Sequence, residues 1–278
     1  MSQSISELES FATRGLNELR EWAAVRGMAY GMERSARFQQ DTLETRRGLF
    51  SFSVQEIESN AAAEVLAICR AMHVPARLVP SIGRFFSAAA FVHFGFEHAG
   101  TALIGKCYLE LPAPAPEAVP VSGRLQFLGF KWSMNVESVA VVTRYRVRSI
   151  SSWDGATALM VASTGTALQS VVLRLMHGLR PGEARENDTL SLLEIEEEGS
   201  VRRSYDLNVY DHGLSVSMLA NALRDTAVIL NVKRDMIDSW LESNATVPVG
   251  HIATGLGRDQ QPFLTVYYDA RRAGMSIP

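Results

Sequence analysis

Apolar residues in the first part of the chain recur at helical spacing. Over residues 5–26, Ile5, Leu8, Phe11, Leu16, Leu19, Trp22 and Ala23 gather on one helix face, with Ser4 or Ser6 as N-cap. Residues 53–72 repeat the pattern through Val54, Ile57, Ala61, Val65 and Ile68. Residues 1–86 therefore read as a helical part, interrupted by a short strand between Thr45 and Val54 that carries Leu49, Phe50 and Phe52.

From residue 87 the period shortens to two. Residues 88–97 and 101–111, rich in aromatic and branched side chains, form a predicted hairpin around His98-Ala99-Gly100. A Pro-rich loop at 112–120 leads to a second pair, 124–132 and 138–148. Residues 152–179 lack proline and carry Leu159, Val161, Leu168, Val172 and Leu175, which predicts a helix. A third pair, 188–198 and 201–210, turns at Gly199-Ser200. Residues 214–243 are helical again, in two pieces, before a closing pair at 247–256 and 262–269. The second strands centre near residues 106, 144, 205 and 266, so the last two intervals are each about sixty residues, the length of a helix or helix pair plus a hairpin. A strand-pair and helix unit repeats. The chain, residues 1–278, reads as a single α+β domain whose antiparallel strand pairs occupy 87–270.

Residues two apart on a strand share a face. Ile104, Lys106, Tyr108 and Glu110 lie opposite Leu103, Cys107, Leu109 and Leu111. Arg144, Arg146 and Arg148 lie opposite Val139, Val141, Thr143, Tyr145 and Val147. His93 and Glu97 share a face, as do Phe263, Thr265, Tyr267 and Asp269. In the third pair Arg202, Asp206, Asn208 and Tyr210 oppose Arg203, Tyr205 and Leu207, and the pattern does not choose between the two faces. A sheet of eight or more such strands tends to curl, and closure removes its edges. A barrel with helices outside would turn a face of cations and tyrosines into a lumen suited to an anion with an apolar part.

Composition narrows the picture. The chain is 47% hydrophobic and 21% charged, with a net charge of −3, as expected of a soluble globular protein. No apolar run approaches the roughly 18–20 residues that span a bilayer, and the N-terminus lacks a signal peptide's basic and apolar regions, so a cytoplasmic location is expected. Cys69 and Cys107 have no metal-site spacing, although His73 follows Cys69 by four. Of the 27 basic residues only Lys106, Lys131 and Lys233 are lysines, and two of these fall on strands. The 30 acidic residues offset the arginines and no basic block exists, which argues against nucleic acid. Gly255-Leu256-Gly257 is not a nucleotide loop.

The Lys106-Cys107-Tyr108, Arg144-Tyr145-Arg146 and Tyr267-Tyr268 strands resemble those of the soluble aromatic prenyltransferases of the ABBA, or PT-barrel, type. The resemblance covers roughly residues 88–270. It implies a barrel ringed by helices in which a prenyl group moves from an allylic diphosphate to an aromatic small molecule in secondary metabolism. The family has five strand pairs, and four are found here, with no helix between the first two. On this resemblance Lys106, Lys131, Arg144, Arg146 and Arg203 would bind diphosphate. Tyr108, Tyr205 and Tyr267 would shield the allyl cation, and Glu97 would orient or deprotonate the acceptor. No cofactor is required for such chemistry, no metal ligands are assigned, and any need for magnesium is left open, as are the acceptor and the oligomeric state.

Other readings stand beside these. Glu97 also suits a strand end, and Lys131 beside Trp132 a surface residue with a snorkelling stem. His93 and His251 read as structural, and Tyr210 and Tyr268 as packing residues. The acidic run Glu194–Glu198 and the pair Asp235 and Asp238 read as solvated faces. The competing function is a non-catalytic, or differently catalytic and cofactor-free, α+β protein that binds an anionic small molecule or a partner protein on an open polar sheet face.

Overall fold

Alternating apolar and polar residues produce strands with two usable faces, and here both faces are used. The computed structural model describes residues 17, 19–57, 60–99, 102–112, 123–134, 140–150, 152–180 and 190–273. The strands are β1 (Tyr30–Gln39), β2 (Thr42–Glu44), β3 (Arg47–Ser53), β4 (Phe91–Ala99), β5 (Ala102–Glu110), β6 (Arg124–Ser133), β7 (Ala140–Ile150), β8 (Leu190–Glu197), β9 (Arg203–Asn208), β10 (Val249–Leu256) and β11 (Pro262–Ala273). The helices are α1 (residues 19–25), α2 (Ala61–Ala71), α3 (Val79–Phe86), α4 (Trp153–Ser163), α5 (Gly165–Leu179), α6 (Ala220–Ile229) and α7 (Arg234–Asn244). Most of the helix predicted over 5–26, most of the Pro-rich loop at 112–120, and residues 138–139 and 188–189 of two predicted strands lie outside the described residues.

Every neighbouring pair of strands is antiparallel. β2 and β3 follow one another along β1, opposite Arg37–Gln39 and Gly31–Arg34 respectively, and so fill one place in the ring. β11 then pairs with β1, setting Ala36 against Val266 and Phe38 against Leu264. The result is a closed barrel of ten antiparallel strands. Closure is the feature the sequence left in doubt, and it removes both sheet edges.

The missing fifth strand pair lies in the part read as helical. Residues 30–53 form β1, β2 and β3, which corrects the expectation for 1–86, although the short strand around Leu49–Phe52 is present. The physical reason is visible in β1, Tyr-Gly-Met-Glu-Arg-Ser-Ala-Arg-Phe-Gln. Met, Glu, Arg and Ala favour helices, and its inward positions carry Glu33, Ser35 and Arg37 in place of core residues.

The outward faces bury against helices in two cores. Phe50, Phe52, Val92, Phe94, Phe96, Leu103, Leu109 and Phe130 pack under α2 and α3. Trp132 also belongs there and donates its indole N–H to the Met72 carbonyl at 3.1 Å. The second core joins Phe38, Leu192, Leu207, Ile252, Leu264, Val266 and Tyr268 to α4–α7. Each fully buried Leu or Phe contributes roughly 1.5–3 kcal/mol. The single helix predicted over 152–179 is two. Ser152 Oγ caps α4 by accepting the Gly155 N–H at 3.1 Å, and Gly165, at φ +42°, breaks the run before α5.

One strip of wall belongs to neither core. On β7 the outer residues Arg144, Arg146 and Arg148 pair with Glu198, Glu196 and Glu194 at 3.7, 3.4 and 3.1 Å. Arg203 joins the same ladder through Glu194 at 3.1 Å. Residues 113–122, which join β5 to β6, lie outside the described residues.

Candidate active site

The inward faces enclose a cavity of about 990 Å³. Its lining is polar and aromatic because these positions were never needed for the core, which lies outside the barrel.

One end is cationic. Lys106 on β5 and Lys131 on β6 are paired residues, and both side chains stand close to Glu97 and Arg47. Arg47 on β3 is paired with Glu97 on β4, their side chains meeting at 2.7 Å. Lys106 contacts the same Glu97 oxygen. Arg37 on β1 lies over the Phe263 ring, 3.7 Å from its centroid. Arg202, just before β9, reaches Glu197 at 2.7 Å. Cations outnumber carboxylates, and the titration of the group reflects it. Burial, reinforced by the neighbouring cations, pulls Lys106 down to about 7 and Lys131 to about 8, with Glu97 offsetting only part. Burial and Arg47 pull Arg37 down to about 10. Glu97 resists the upward push of burial and is held well below the usual carboxylate range by Arg47, Lys106 and Lys131.

Tyrosines form the next layer. Tyr108 and Tyr145 meet edge to face with centroids 5.6 Å apart. Gly129 makes this possible, since a Cβ there would come within 2.7 Å of the Tyr108 ring. Tyr267 on β11 completes the layer, beside His251. Burial pushes Tyr108 and Tyr267 well above the usual phenol value, so both remain neutral.

Carboxylates and imidazoles occupy the other half. Glu33 on β1 accepts the Tyr210 hydroxyl at 2.5 Å. Burial raises its pKa, while His251 and Tyr210 oppose the rise. His251 Nδ1 lies 3.0 Å from Asp206 Oδ1. Burial alone would lower the imidazole, but Asp206 carries it up to about 9. On the other side of Glu33, His93 contacts Ser51 Oγ at 2.7 Å and Glu110 Oε2 at 3.2 Å.

The residues singled out from the sequence are only partly brought together. Lys106, Tyr108 and Tyr267 line the cavity, and Lys131 and Glu97 stand beside Lys106, with Glu97 engaged by Arg47 and Lys106. Arg144, Arg146 and Arg203 lie on the outer wall in the ion-pair ladder, which corrects their expected place around a diphosphate. Tyr205 is also outside, buried in the α4–α7 core with its hydroxyl 3.5 Å from Glu194. The reason is phase: on β7 and β9 the arginines took the outer face, and Tyr145, Asp206 and Asn208 the inner one. His93, His251 and Tyr210, read as structural or packing residues, line the cavity. Tyr268 does pack, with Trp240. Asp238 pairs with Arg224 and Arg234 on a solvated face. Glu33 and Arg37 were missed because β1 read as helix, and Arg47 because only Leu49, Phe50 and Phe52 drew notice in the short strand that carries it. The period-two alternation of Glu33, Ser35 and Arg37 was the available signal on β1.

No protein-family model matches the sequence, and no curated protein matches it. Solved structures do match the fold. The 5-dimethylallyltryptophan synthase of Streptomyces coelicolor is 14% identical, with 89% of this chain and 82% of that one covered and a TM-score of 0.60. AnaPT of Neosartorya fischeri is 16% identical over 86% of this chain and 77% of its own, with a TM-score of 0.57. The prenyltransferase PriB, solved with L-tryptophan and dimethylallyl thiolodiphosphate, is 15% identical over 86% and 79%, with a TM-score of 0.57. Ten antiparallel strands closed by β1 and β11, helices outside and a polar lumen give this chain the ABBA, or PT-barrel, fold of the solved aromatic prenyltransferases.

Proposed function

We propose that the chain transfers a prenyl group from an allylic diphosphate to an aromatic small molecule inside its barrel. The observation that carries this reading is the polarity of the lumen. An excess of buried cations at one end faces a carboxylate with raised pKa at the other, and neutral tyrosines lie between.

The diphosphate lies against Lys106, Lys131, Arg47 and Arg37. As the allylic C–O bond breaks, its electron pair moves onto the diphosphate, whose growing charge these fixed N–H donors stabilise. Tyr108, Tyr145 and Tyr267 shield the allyl cation from water, each ring face contributing roughly 0.5–2 kcal/mol. Because the phenols stay neutral, their oxygens compete poorly as nucleophiles. A carbon of the acceptor ring then forms the new bond. Glu97, already ionised and held by Arg47 and Lys106, is a weak base, so orienting the acceptor through its N–H or O–H passes to Glu33. PriB, of the same fold, was solved with one molecule of each kind that the two ends of this lumen suit. Closure also turns the polar face inward, where a partner protein has no access to it.

The test is incubation with dimethylallyl diphosphate and a panel of indoles and phenols, read by mass spectrometry. The expected product is heavier by one dimethylallyl group and is lost in Lys106→Ala. If pyrophosphate gives no protection against thermal unfolding and Lys106→Ala changes nothing, the reading is abandoned.

A further inference from the structure

Ser51, His93 and Glu110 form a second acid–base set in the lumen, for which the reading above has no task. They come from the adjacent strands β3, β4 and β5, with Ser51 and His93 directly paired. His93 Nε2 lies 3.2 Å from Glu110 Oε2, and a carboxylate can only accept, so Nε2 carries the ring proton. In the neutral imidazole Nδ1 then presents its lone pair, and Ser51 donates its O–H to it at 2.7 Å. Glu110 is itself fixed by Gln126, whose Nε2 donates to Oε1 at 3.3 Å and to the Leu111 carbonyl at 3.0 Å. Ser51 lines the cavity, which makes its oxygen the lumen end of the chain of hydrogen bonds. Phe91 and Phe127 flank the imidazole, with ring centroids 6.4 and 5.8 Å away, and offer an aromatic guest a surface beside the serine.

Substitution on an aromatic ring makes two separate demands. The acceptor's N–H or O–H needs a partner as positive charge develops, and the attacked carbon must later lose its hydrogen. A general base works within about 2.6–3.2 Å of its target or through one relay atom. Glu33 is committed to Tyr210 and is paired with Leu49, whereas Ser51 is paired with Gly31. Ser51 and Glu33 are therefore offset by two positions along the β1–β3 pairing.

We propose that Ser51, His93 and Glu110 are a proton relay that removes the ring hydrogen after prenyl transfer, a role that rests on the prenyl-transfer reading. Once the carbon–carbon bond has formed, the attacked carbon carries both hydrogen and prenyl group. Ser51 Oγ takes that hydrogen as a proton and passes its own to His93 Nδ1. The C–H electron pair returns to the ring, and Glu110 balances the imidazolium. Ser51 touches the reacting atom, whereas His93 and Glu110 act through it.

Three variants test the relay: Ser51→Ala, His93→Gln and Glu110→Gln. The last is the most telling, because a glutamine amide can donate to Nε2 and so reverse the tautomer at almost constant volume. In each variant the prenylated product falls roughly 100-fold or more, while the allylic diphosphate is still consumed to its alcohol. An acceptor deuterated at the prenylated carbon gives a primary isotope effect that the wild type lacks, and pyrophosphate protection is kept. Product formed by Glu110→Gln at the wild-type rate, or an isotope effect unchanged from wild type, overturns the relay. Imidazole ¹⁵N resonances supply a reading independent of turnover: Nε2–H is expected in the wild type and Nδ1–H in Glu110→Gln. A wild-type Nδ1–H tautomer overturns the proposal whatever the activity. Failure of the underlying reading looks different, as no acceptor is then prenylated by the wild type even though His93 keeps its Nε2–H. The ring-proton role falls with it.

Discussion

Lys106 and Lys131 face one another directly across the β5–β6 pairing, and their ammonium groups repel one another beside Glu97 and Arg47. Like charges directly opposed on a sheet destabilise it. Burial and the neighbouring cations answer this by lowering the two groups to about 7 and about 8. A bound diphosphate reverses the balance by favouring the charged forms. Pyrophosphate binding at pH 8 is therefore accompanied by proton uptake, measured as a dependence of calorimetric heat on the buffer's ionisation enthalpy. Because the folded values lie below the ordinary 10.5, the unfolded chain holds more protons between about 7 and 10.5. Stability of the free protein gains from these groups as pH rises through that window. Protection by pyrophosphate shrinks over the same range, and protection that is flat from pH 6.5 to 9 contradicts this account.

Lys131→Met separates binding from stability. The ammonium contributes to an anion but is repelled by Lys106, Arg47 and Arg37 in the free protein. The variant is expected to melt no lower than wild type. Its pyrophosphate affinity drops roughly 10-fold or more, as for loss of one charged hydrogen bond of about 1.5–3 kcal/mol. Differential scanning fluorimetry with and without pyrophosphate measures both.

Glu33→Gln keeps the shape of the acceptor end and removes its charge. Prenylated product is expected to fall roughly 10²- to 10⁴-fold, with pyrophosphate protection unchanged because the cationic end is untouched. Equal loss of both would place Glu33 in the anion site instead. Chromatography of the product and a thermal shift in the same preparation distinguish the outcomes.

Arg144→Ala and Arg146→Ala remove residues of the outer ladder. Each pair is partly exposed, so stability changes by about 1 kcal/mol or less, and neither pyrophosphate affinity nor product formation moves. Arg47→Ala, on the inner wall, abolishes pyrophosphate protection. If the β7 arginines behave like Arg47, the inward and outward faces have been interchanged.

Much of the barrel was legible because strands announce themselves by period. Lys106 and Tyr108 could be assigned together to a polar face since Leu103, Cys107 and Leu109 marked the other face as core. The same reasoning failed at β7, where Val141, Thr143, Tyr145 and Val147 look like a core face yet Tyr145 and Val147 line the cavity. Periodicity tells which residues stand together but not which way the set turns, and the outer stretch Arg144–Arg148 of β7 is covered by glutamates of the neighbouring strand rather than by apolar side chains. β1 was hidden for a related cause. Its inner positions are chosen for charge, its outer ones include the small Ala36, and helix-favouring residues fill much of the rest. Glu33 and Arg37 therefore surfaced only once the strands were closed into a ring.

The pairing of β1 with β11 joins segments more than two hundred positions apart. During synthesis, then, β1 leaves the ribosome long before its neighbour exists. Until β11 arrives the growing sheet keeps an open side, with unsatisfied backbone groups along β1, and folding inherits the slow pace of long-range closure. The cation pocket contains residues from β1, β3, β5 and β6, so a partly made chain already concentrates positive charge without walls to shelter it. The last hairpin, β10 and β11, is what completes those walls.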